Sequence, residues 1–417
     1  MASQSKQSTA LTNSGYLVPF ITVTALYFIF GFITNLNMAL VPHLRSVFNL
    51  PYAWAMLAES AFFLAYFVFS APTSKLIETI GYKRTMVVSL FIQVLGCLLF
   101  VPAAKLVSFP LFLTAVFVVG AGVTALQTSV NPYVTILGPE ESAPIRLTLG
   151  QALNSLGGTL APLVAGAFIL TDSQKMITPA AIADTVRGPY IAIAAALLVL
   201  GLAVAFSHLP AVVSSHSEAS HKEAAGRSIW SYRHTVLGAL GIFAYVGVEV
   251  GLASIAVNYF NSQGISSAKT ASFLVSLYWL GSLVGRLLGS WILTKIKSGK
   301  LLGIFGFAAT AMLLISMCSS GQVAIWTLVL CGFFNSIMFP NIFALGVAGL
   351  GPMTSRGSGL ITTAIVGGAV IPYLLGKLAD LVGIQHALVL PILCYLFIAY
   401  YGLVGSKQSL SKTMQNA

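Results

Sequence analysis

Two carboxylates lie deep within long apolar stretches of this 417-residue chain. Glu59 and Glu249 would each cost about 3 kcal/mol as ionised groups at the centre of a bilayer, and such residues often mark an ion pathway. Either one could bind a proton, or could bind Na⁺ together with nearby amide and carbonyl oxygens, because hard cations prefer oxygen ligands. The alternatives are that Glu59 is hydrated near the outer surface and that Glu249 makes a structural hydrogen bond.

Neutral amides accompany these acids in the apolar stretches. Gln127 and Asn131 are four residues apart, so they share one face of a helix. Gln151 and Asn154 are three apart and share a face in the same way. Amides both donate and accept hydrogen bonds, as the hydroxyl ring of a sugar requires. The candidate substrate-binding residues are Asn35, Gln127, Asn131, Gln151, Asn154, Asn335 and Phe339, with aromatic surfaces from Tyr66, Tyr278, Trp279 and Phe334. The alternative is that buried amides only join helices to one another.

The composition indicates a protein embedded in lipid. Hydrophobic residues make up 57% of the chain and charged residues 7%, whereas a soluble domain carries about 25% charged residues. The net charge of +11 comes from Lys and Arg at the ends of apolar segments, which indicates a membrane protein rather than a nucleic-acid-binding one. The four cysteines have no disulfide or metal spacing, and the N-terminus does not resemble a signal peptide. Without a nucleophile–base pair or a phosphate loop, we expect neither an enzyme nor a cofactor.

Twelve segments reach the roughly 20 apolar residues that a membrane-spanning helix needs, so we expect an all-α integral membrane protein. The predicted helices α1 to α12 lie at about 17–42, 54–76, 84–104, 108–133, 146–170, 188–208, 235–260, 270–293, 300–319, 322–347, 357–379 and 385–405. A polar stretch at 209–234 is expected to be a cytoplasmic linker between an N-terminal six-helix bundle (1–208) and a C-terminal six-helix bundle (235–417).

One pattern of residues occurs twice, about 210 positions apart. Glycines and a proline follow an arginine at +11, +12, +16 and +20 in both copies. The first copy is Arg146, Gly157, Gly158, Pro162 and Gly166, and the second is Arg356, Gly367, Gly368, Pro372 and Gly376. Parallel repeats of six helices with a small-molecule site between the halves are a transporter architecture, so the pattern predicts a secondary transporter.

The distribution of Lys and Arg predicts the orientation in the membrane. With the N-terminus in the cytoplasm, the inner loops and tails hold most of the basic residues, as the positive-inside rule requires. We therefore expect both termini and the linker to be cytoplasmic, in a bacterial inner membrane.

Several runs resemble the fucose–galactose–glucose:cation symporters of the major facilitator superfamily, over essentially the whole chain. The runs are FGFITNLNMALVPH, QTSVNPYVTILGPEE, RLTLGQALNSLGGTLAP, SIMFPNIFALGV and RGSGLITTAIVGGAVIP. The resemblance implies monosaccharide transport by alternating access, driven by H⁺ or Na⁺, with Gln151, Asn154 and Asn35 at sugar-contacting positions. The basic segments that contain Lys83, Arg84 and Arg286 resemble the inner-gate loops of that superfamily, so these three residues are candidate gating residues; the alternative for each is plain positive-inside bias.

Three positions depart from the pattern of proton-coupled fucose permeases. Met38 stands where those proteins carry an aspartate, Gln127 where they carry a glutamate, and Phe339 where they carry a tyrosine. Neither Met nor Gln exchanges protons in the physiological range. The last two departures resemble the glucose/galactose branch, in which some members are coupled to Na⁺.

We therefore expect a transporter, monomeric in the lipid bilayer, that imports a neutral hexose, with glucose, galactose or mannose before fucose. Na⁺ symport is the leading hypothesis, with Glu59 as the favoured Na⁺ residue and Glu249 as the second coupling candidate. The alternatives are an H⁺ symporter that uses either acid and an uncoupled facilitator. A multidrug exporter and a non-transporting receptor are more remote, and no nucleic-acid partner is expected.

Overall fold

The computed structural model describes residues 11–12, 15–49, 57–165, 178–210, 228–265 and 268–408. The described residues are almost entirely helical, and ten of their helical segments are long and apolar enough to cross a membrane. One of these ten, Leu57–Lys105, is 49 residues long and contains two of the predicted spans. The structure thus confirms the prediction of an all-α integral membrane protein.

The helices follow the predicted order. Helix α1 is Leu17–Phe48, α2 and α3 share Leu57–Lys105, α4 is Phe109–Ile136, α5 is Ala143–Ala165 and α6 is Arg187–Phe206, preceded by a short helix Pro179–Asp184. Helix α7 is Arg233–Ser262, α8 is Ala268–Ile292, α9 is Ser298–Cys318, α10 consists of Gly321–Asn335 and Met338–Val347, α11 of Thr354–Thr363 and Gly367–Val382, and α12 of Val389–Tyr400 with a π-helical turn Tyr401–Gly405.

Helices α2 and α3 meet at Gly81, where the backbone leaves the helical conformation at φ 82°. Residues with a side chain rarely adopt this left-handed backbone conformation, so glycine fits the position. Lys83, immediately after the break, donates a hydrogen bond to the Ser207 carbonyl oxygen at the end of α6 (2.7 Å). This contact lies within the N-terminal half (α1–α6) and covers a carbonyl that the α6 terminus leaves unpaired.

The repeated glycines mark the closest helix contacts of each half. Gly157 on α5 packs against the α1 backbone at Phe28 and Phe32, and Gly367 on α11 packs against the α7 backbone at Phe243. A Cβ on either glycine would overlap those backbone atoms. The same step of the repeat thus joins α5 to α1 and, in the C-terminal half (α7–α12), α11 to α7. Small residues allow such close approach between helices in membranes.

The arginines at the start of the two copies of the repeat make different contacts. Arg146 is completely buried, and its guanidinium donates hydrogen bonds to Val134 O, Thr135 O, Pro139 O, Leu11 O and Ser142 Oγ. It therefore fixes the turn between α4 and α5. Arg356 instead crosses to the other half, where it contacts Glu78 on α2.

We call the end of the bundle that holds the α2–α3 break, the α4–α5 turn and the start of α11 the basic end. Residues 211–227 of the predicted linker and Gly166 of the repeat lie outside the described residues. The domain boundaries at 1–208, 209–234 and 235–417 therefore stay a prediction.

Candidate functional site

A cavity of about 410 Å³ lies between the two halves, within the range of roughly 300–1,000 Å³ that small-molecule sites occupy. Helices α1, α2, α4 and α5 line it from the N-terminal half, and α7, α8, α10 and α11 from the C-terminal half. The lining residues are Phe30, Thr34, Asn35, Phe63, Tyr66, Gln127, Gln151, Asn154, Ser155, Gly158, Thr159, Tyr245, Val246, Glu249, Val250, Ser276, Trp279, Leu280, Arg286, Phe339 and Ile365.

The N-terminal wall of the cavity presents neutral amides. Gln127 on α4 donates a hydrogen bond to the Tyr66 hydroxyl on α2 (3.1 Å), and both side chains line the cavity. Gln151 and Asn154 reach it from α5. Asn35 on α1 donates to the Gly31 carbonyl oxygen (2.9 Å), which leaves its own side-chain oxygen as an acceptor for a ligand.

Glycine at position 158 makes room for this arrangement. A Cβ at Gly158 would lie 2.6 Å from the Asn35 Nδ2 atom. The small residue therefore lets the Asn35 amide lie directly against α5, beside the amides of that helix. Of the seven predicted substrate-binding residues, four thus come together on this wall, namely Asn35, Gln127, Gln151 and Asn154.

Aromatic side chains line the cavity from both halves. Trp279 on α8 and Phe339 on α10 line the cavity, as the sequence suggested for both. Phe30 and Phe63 also line it from the N-terminal half, and the sequence analysis did not select them. Their positions in uniformly apolar runs gave no signal that distinguished them from lipid-facing phenylalanines.

Two of the predicted amides lie elsewhere. Asn131 is completely buried behind the cavity wall and accepts a hydrogen bond from the Tyr27 hydroxyl (2.8 Å). Asn335 joins three helices, since it donates to Tyr278 on α8 (2.6 Å) and accepts from Tyr395 on α12 (2.6 Å). Neither asparagine lines the cavity, so their contacts are those of helix-joining amides. Among the predicted aromatic surfaces, Tyr278 and Phe334 are likewise absent from the lining.

Among the described residues that line the cavity, one is an acid, Glu249 on α7. Tyr245, one turn earlier, donates a hydrogen bond to Glu249 Oε1 (2.7 Å). The Arg286 Nη2 atom on α8 lies 3.8 Å from the same oxygen. The side chains of Glu249 and Arg286 are only 15% and 7% exposed, respectively, so the two charges interact with little screening from water.

Arg286 also reaches across to the N-terminal half. Its Nη1 atom donates hydrogen bonds to the Gln151 carbonyl oxygen (3.2 Å) and to Ser155 Oγ on α5. Its Nε atom donates to the Ser336 carbonyl oxygen (3.2 Å) in the break of α10. One guanidinium therefore connects an acid of the C-terminal half with the helix that carries two of the cavity amides.

The other candidate acid, Glu59, lies in the first turn of α2 and does not line the cavity. No described residue makes a hydrogen bond or ion pair with it. The side chain of Met38, where the resemblance leads one to expect an aspartate, lies outside the described residues. Among the residues that the structure describes, no group of three or more His, Cys, Asp or Glu side chains could hold a metal ion.

The described hydrogen bonds between the halves all lie between the cavity floor and the basic end. Arg356 Nε on α11 is 2.8 Å from Glu78 Oε1 on α2. Ser74 donates to the Ser355 carbonyl oxygen, and Ser358 donates to the Thr128 carbonyl oxygen (2.9 Å). The cavity is thus closed toward the basic end.

Of the three predicted gating residues, the structure brings only Arg286 into contact with the opposite half. Lys83 bonds within its own half, and Arg84 is exposed. The Glu78–Arg356 pair was not selected from the sequence. The repeat did mark Arg356, but nothing along the chain pointed to Glu78 as its partner.

Comparisons with known proteins agree with this architecture. The Major Facilitator Superfamily model matches residues 23–372. The chain is 45% identical over 403 residues to a glucose/galactose transporter of Brucella abortus, covering 96% of this chain and 97% of that protein. It is 32% identical over 406 residues to the L-fucose-proton symporter of Escherichia coli, covering 93% of this chain and 92% of that one.

The fold is also similar to a solved structure. The crystal structure of FucP, a Major Facilitator Superfamily transporter in the outward conformation, superposes with a TM-score of 0.84 at 32% identity, over 93% of this chain and 98% of that one. The chain therefore belongs to the Major Facilitator Superfamily of membrane transporters, in its fucose–galactose–glucose permease family.

Proposed function

We propose that this protein imports a neutral hexose, glucose, galactose or mannose before fucose, by alternating access. The observation that carries the proposal is the cavity between the halves, where Gln127, Gln151, Asn154 and Asn35 face aromatic side chains. Relatives with 45% and 32% identity are named as a glucose/galactose transporter and an L-fucose-proton symporter, which supports a monosaccharide as the substrate class.

The chemistry of the lining fits an uncharged polyol. Each amide can donate to one sugar hydroxyl and accept from another, and the face of Trp279 can cover the apolar side of a pyranose ring. In the part of the lining that the structure describes, the acid Glu249 is accompanied by Arg286, so these residues offer no unbalanced charge to a charged substrate. The amide wall disfavours the alternative of a multidrug exporter, whose ligands are largely apolar.

A weak site is sufficient for a carrier that must also release its load. Millimolar affinity corresponds to about −4 kcal/mol, and a neutral hydrogen bond contributes about 0.5–1.5 kcal/mol. Three or four amide contacts and one aromatic contact supply that total.

The orientation that we propose places both termini and the basic end in the cytoplasm of a bacterium, with the protein in the inner membrane. Lys83, Arg84 and Arg356 then lie on the cytoplasmic side, in accord with the positive-inside rule. In that orientation the cavity is closed toward the cytoplasm, as expected of an outward-facing or an occluded state of the cycle.

The candidates for the coupling ion are H⁺ and Na⁺. The sequence favoured Na⁺ at Glu59, and that hypothesis stays a prediction. The geometry favours Glu249 over Glu59 as the coupling residue, because Glu249 is the acid that lines the cavity. An uncoupled facilitator is the alternative function, and it would equilibrate the sugar without ever accumulating it.

The test of substrate class is counterflow in proteoliposomes that contain unlabelled glucose inside and labelled glucose outside. We expect saturable exchange, with galactose and mannose competing more strongly than fucose. Asn154→Ala should reduce exchange strongly, whereas Gln322→Ala, which removes an exposed amide from the start of α10, should not. The absence of saturable exchange of any of these sugars by the wild-type protein would refute the proposal.

A further inference from the structure

We propose that Glu249 binds the proton that drives sugar uptake, and that Arg286 transmits the charge state of Glu249 to the sugar-binding face of α5. This inference rests on the proposed function and adds the identity of the coupling ion and the route of coupling. It assigns the energy-coupling role to α7 and α8, whereas the sequence analysis favoured Glu59 on α2.

The two oxygens of the Glu249 carboxylate have different surroundings. Oε1 accepts the hydrogen bond from Tyr245 and lies nearest to Arg286. Oε2 makes no hydrogen bond to any described residue, and the side chain lines the cavity. A proton from water in the cavity can therefore reach Oε2 without displacing either partner of Oε1.

The same surroundings disfavour Na⁺. A metal cation requires several oxygen ligands, and Glu249 is the single acid among the described residues that line the cavity. The Arg286 guanidinium, 3.8 Å from Oε1, would repel a second cation at this carboxylate. A proton needs one oxygen only and forms a neutral acid there.

Among the described residues, the groups that face Glu249 include no second acid that would compete for the proton. On α7 the neighbour is Tyr245, and on α8 the neighbours are Arg286 and Tyr278. Tyr395 on α12 lies beyond the two tyrosines. Helices α10 and α11 contribute Phe339 and Ile365 to the cavity, and neither side chain ionises.

Arg286 carries the coupling because its contacts lie on both sides of the cavity floor. While Glu249 is ionised, the guanidinium is shared between that carboxylate and α5. When the carboxylate takes up a proton and becomes neutral, the electrostatic attraction toward α7 is lost. The guanidinium then retains its hydrogen bonds to Gln151 O, Ser155 Oγ and Ser336 O, and its hold on α5 strengthens.

Because α5 carries Gln151 and Asn154, this tighter hold orders the amides that bind the sugar. The proton therefore raises the affinity for sugar, and by thermodynamic linkage the sugar raises the affinity for the proton by the same factor. The proton enters from the outer side with the sugar and leaves Oε2 to cytoplasmic water after the halves have rocked.

The experiment measures labelled-glucose accumulation in proteoliposomes under an imposed pH gradient, acid outside, with and without Na⁺. We expect the wild-type protein to accumulate glucose above equilibrium without Na⁺. Glu249→Gln, which keeps the shape of the side chain but cannot exchange a proton, should lose accumulation and still support equilibrative entry. Asp380→Asn, the same chemical change at an exposed carboxylate of the C-terminal half, is the matched control and should accumulate glucose as the wild type does.

Glu59→Gln separates this inference from the Na⁺ hypothesis. Accumulation by Glu59→Gln together with its loss in Glu249→Gln supports the inference. The reverse pattern, or accumulation that requires Na⁺, overturns it and leaves the proposed sugar transport intact. If the wild type only equilibrates glucose under the pH gradient, both with and without Na⁺, the inference is also overturned. An absence of any saturable exchange would remove the proposed function itself.

A second variant tests the inference if Glu249→Gln does not fold. Tyr245→Phe removes the hydrogen bond that favours the ionised carboxylate, so the proton should be held up to higher pH. The pH midpoint of glucose binding should rise by about one unit, the tenfold effect of losing one hydrogen bond to a charged group. An unchanged midpoint, or glucose binding that is independent of pH in the wild type, would overturn the inference.

Discussion

Replacing Gly367 by alanine is expected to lower the free energy of unfolding by about 1–3 kcal/mol, the usual cost of forcing an extra methyl group into a packed interior. The new Cβ would lie 2.8 Å from the carbonyl carbon and the Cα of Phe243, and closer still to its carbonyl oxygen. These are backbone atoms of α7, so no side-chain rotation can relieve the overlap. The backbone of Gly367 is already helical, at φ −51°, so the cost is steric and not conformational.

Two matched variants test whether steric overlap causes the loss of stability. Gly376→Ala lies nine residues further along α11, and its Cβ would meet nothing within 4 Å. Alanine there should be neutral or stabilising by up to about 1 kcal/mol, because alanine has the higher helix propensity. Gly157→Ala, the equivalent of Gly367→Ala in the first half, should be destabilising to a similar extent, since its Cβ would lie 2.8 Å from the Phe32 nitrogen.

The assay is unfolding in mixed micelles at increasing fractions of a denaturing detergent, with thermal melting as a second readout. Gly367→Ala and Gly157→Ala should both unfold earlier than the wild type, and Gly376→Ala should not. If Gly367→Ala proved as stable as Gly376→Ala, then α7 and α11 would not be in backbone contact. The interpretation of the repeat as a packing motif would then be wrong.

Three further outcomes are expected. Gln127→Ala should weaken glucose binding about two- to tenfold, because one neutral hydrogen bond is lost; equilibrium binding measures this, and unchanged affinity would remove Gln127 from the site. Glu78→Gln should favour opening at the basic end by at most about 1 kcal/mol, since the pair with Arg356 is partly exposed; inter-half distances between spin labels report it, and the wild-type preference should weaken with salt. Arg146→Lys should lower the free energy of unfolding by about 3 kcal/mol or more, as several buried carbonyls lose their donor, and a variant as stable as the wild type in detergent would contradict that role.

The helices and much of the site were predictable because membranes impose strong rules on sequence. Apolar length located the spans other than α5, whose described residues are not apolar enough to be counted among the ten spanning segments. The spacing of Gln151 and Asn154 placed both on the one face of α5 that lines the cavity. The glycine repeat predicted related halves, and Gly157 and Gly367 do pack in equivalent ways. These features depend on interactions within one helix or between repeated elements, which a sequence displays directly.

The sequence could not predict in the same way which polar residues of a helix face reach the cavity and which are buried between helices. Gln127 and Asn131 share a face of α4, yet one lines the cavity and the other bonds to Tyr27 behind the wall. Helical spacing gives the direction of a side chain but not which neighbouring helix it meets one turn later. Asn335 shows the same limit, because its tyrosine partners come from α8 and α12.

The difference in strength between contacts within and between the halves favours motion by rocking. Within each half, glycines bring helix backbones together so closely that a single methyl group would disrupt the contact. Between the halves, the described polar contacts at the basic end are a partly exposed ion pair and a few hydrogen bonds, each contributing about 1 kcal/mol or less. Gly359 on α11 also packs against α2, but an added Cβ there would overlap the Ser74 side chain rather than the backbone. Reversing a conformational preference from 1:99 to 99:1 requires about 5.5 kcal/mol, and the three polar contacts together supply about half of that at most. The proposed binding of sugar and a proton at the cavity floor would therefore have to overcome only weak polar contacts to shift the balance between the halves, without disturbing the packing inside either one.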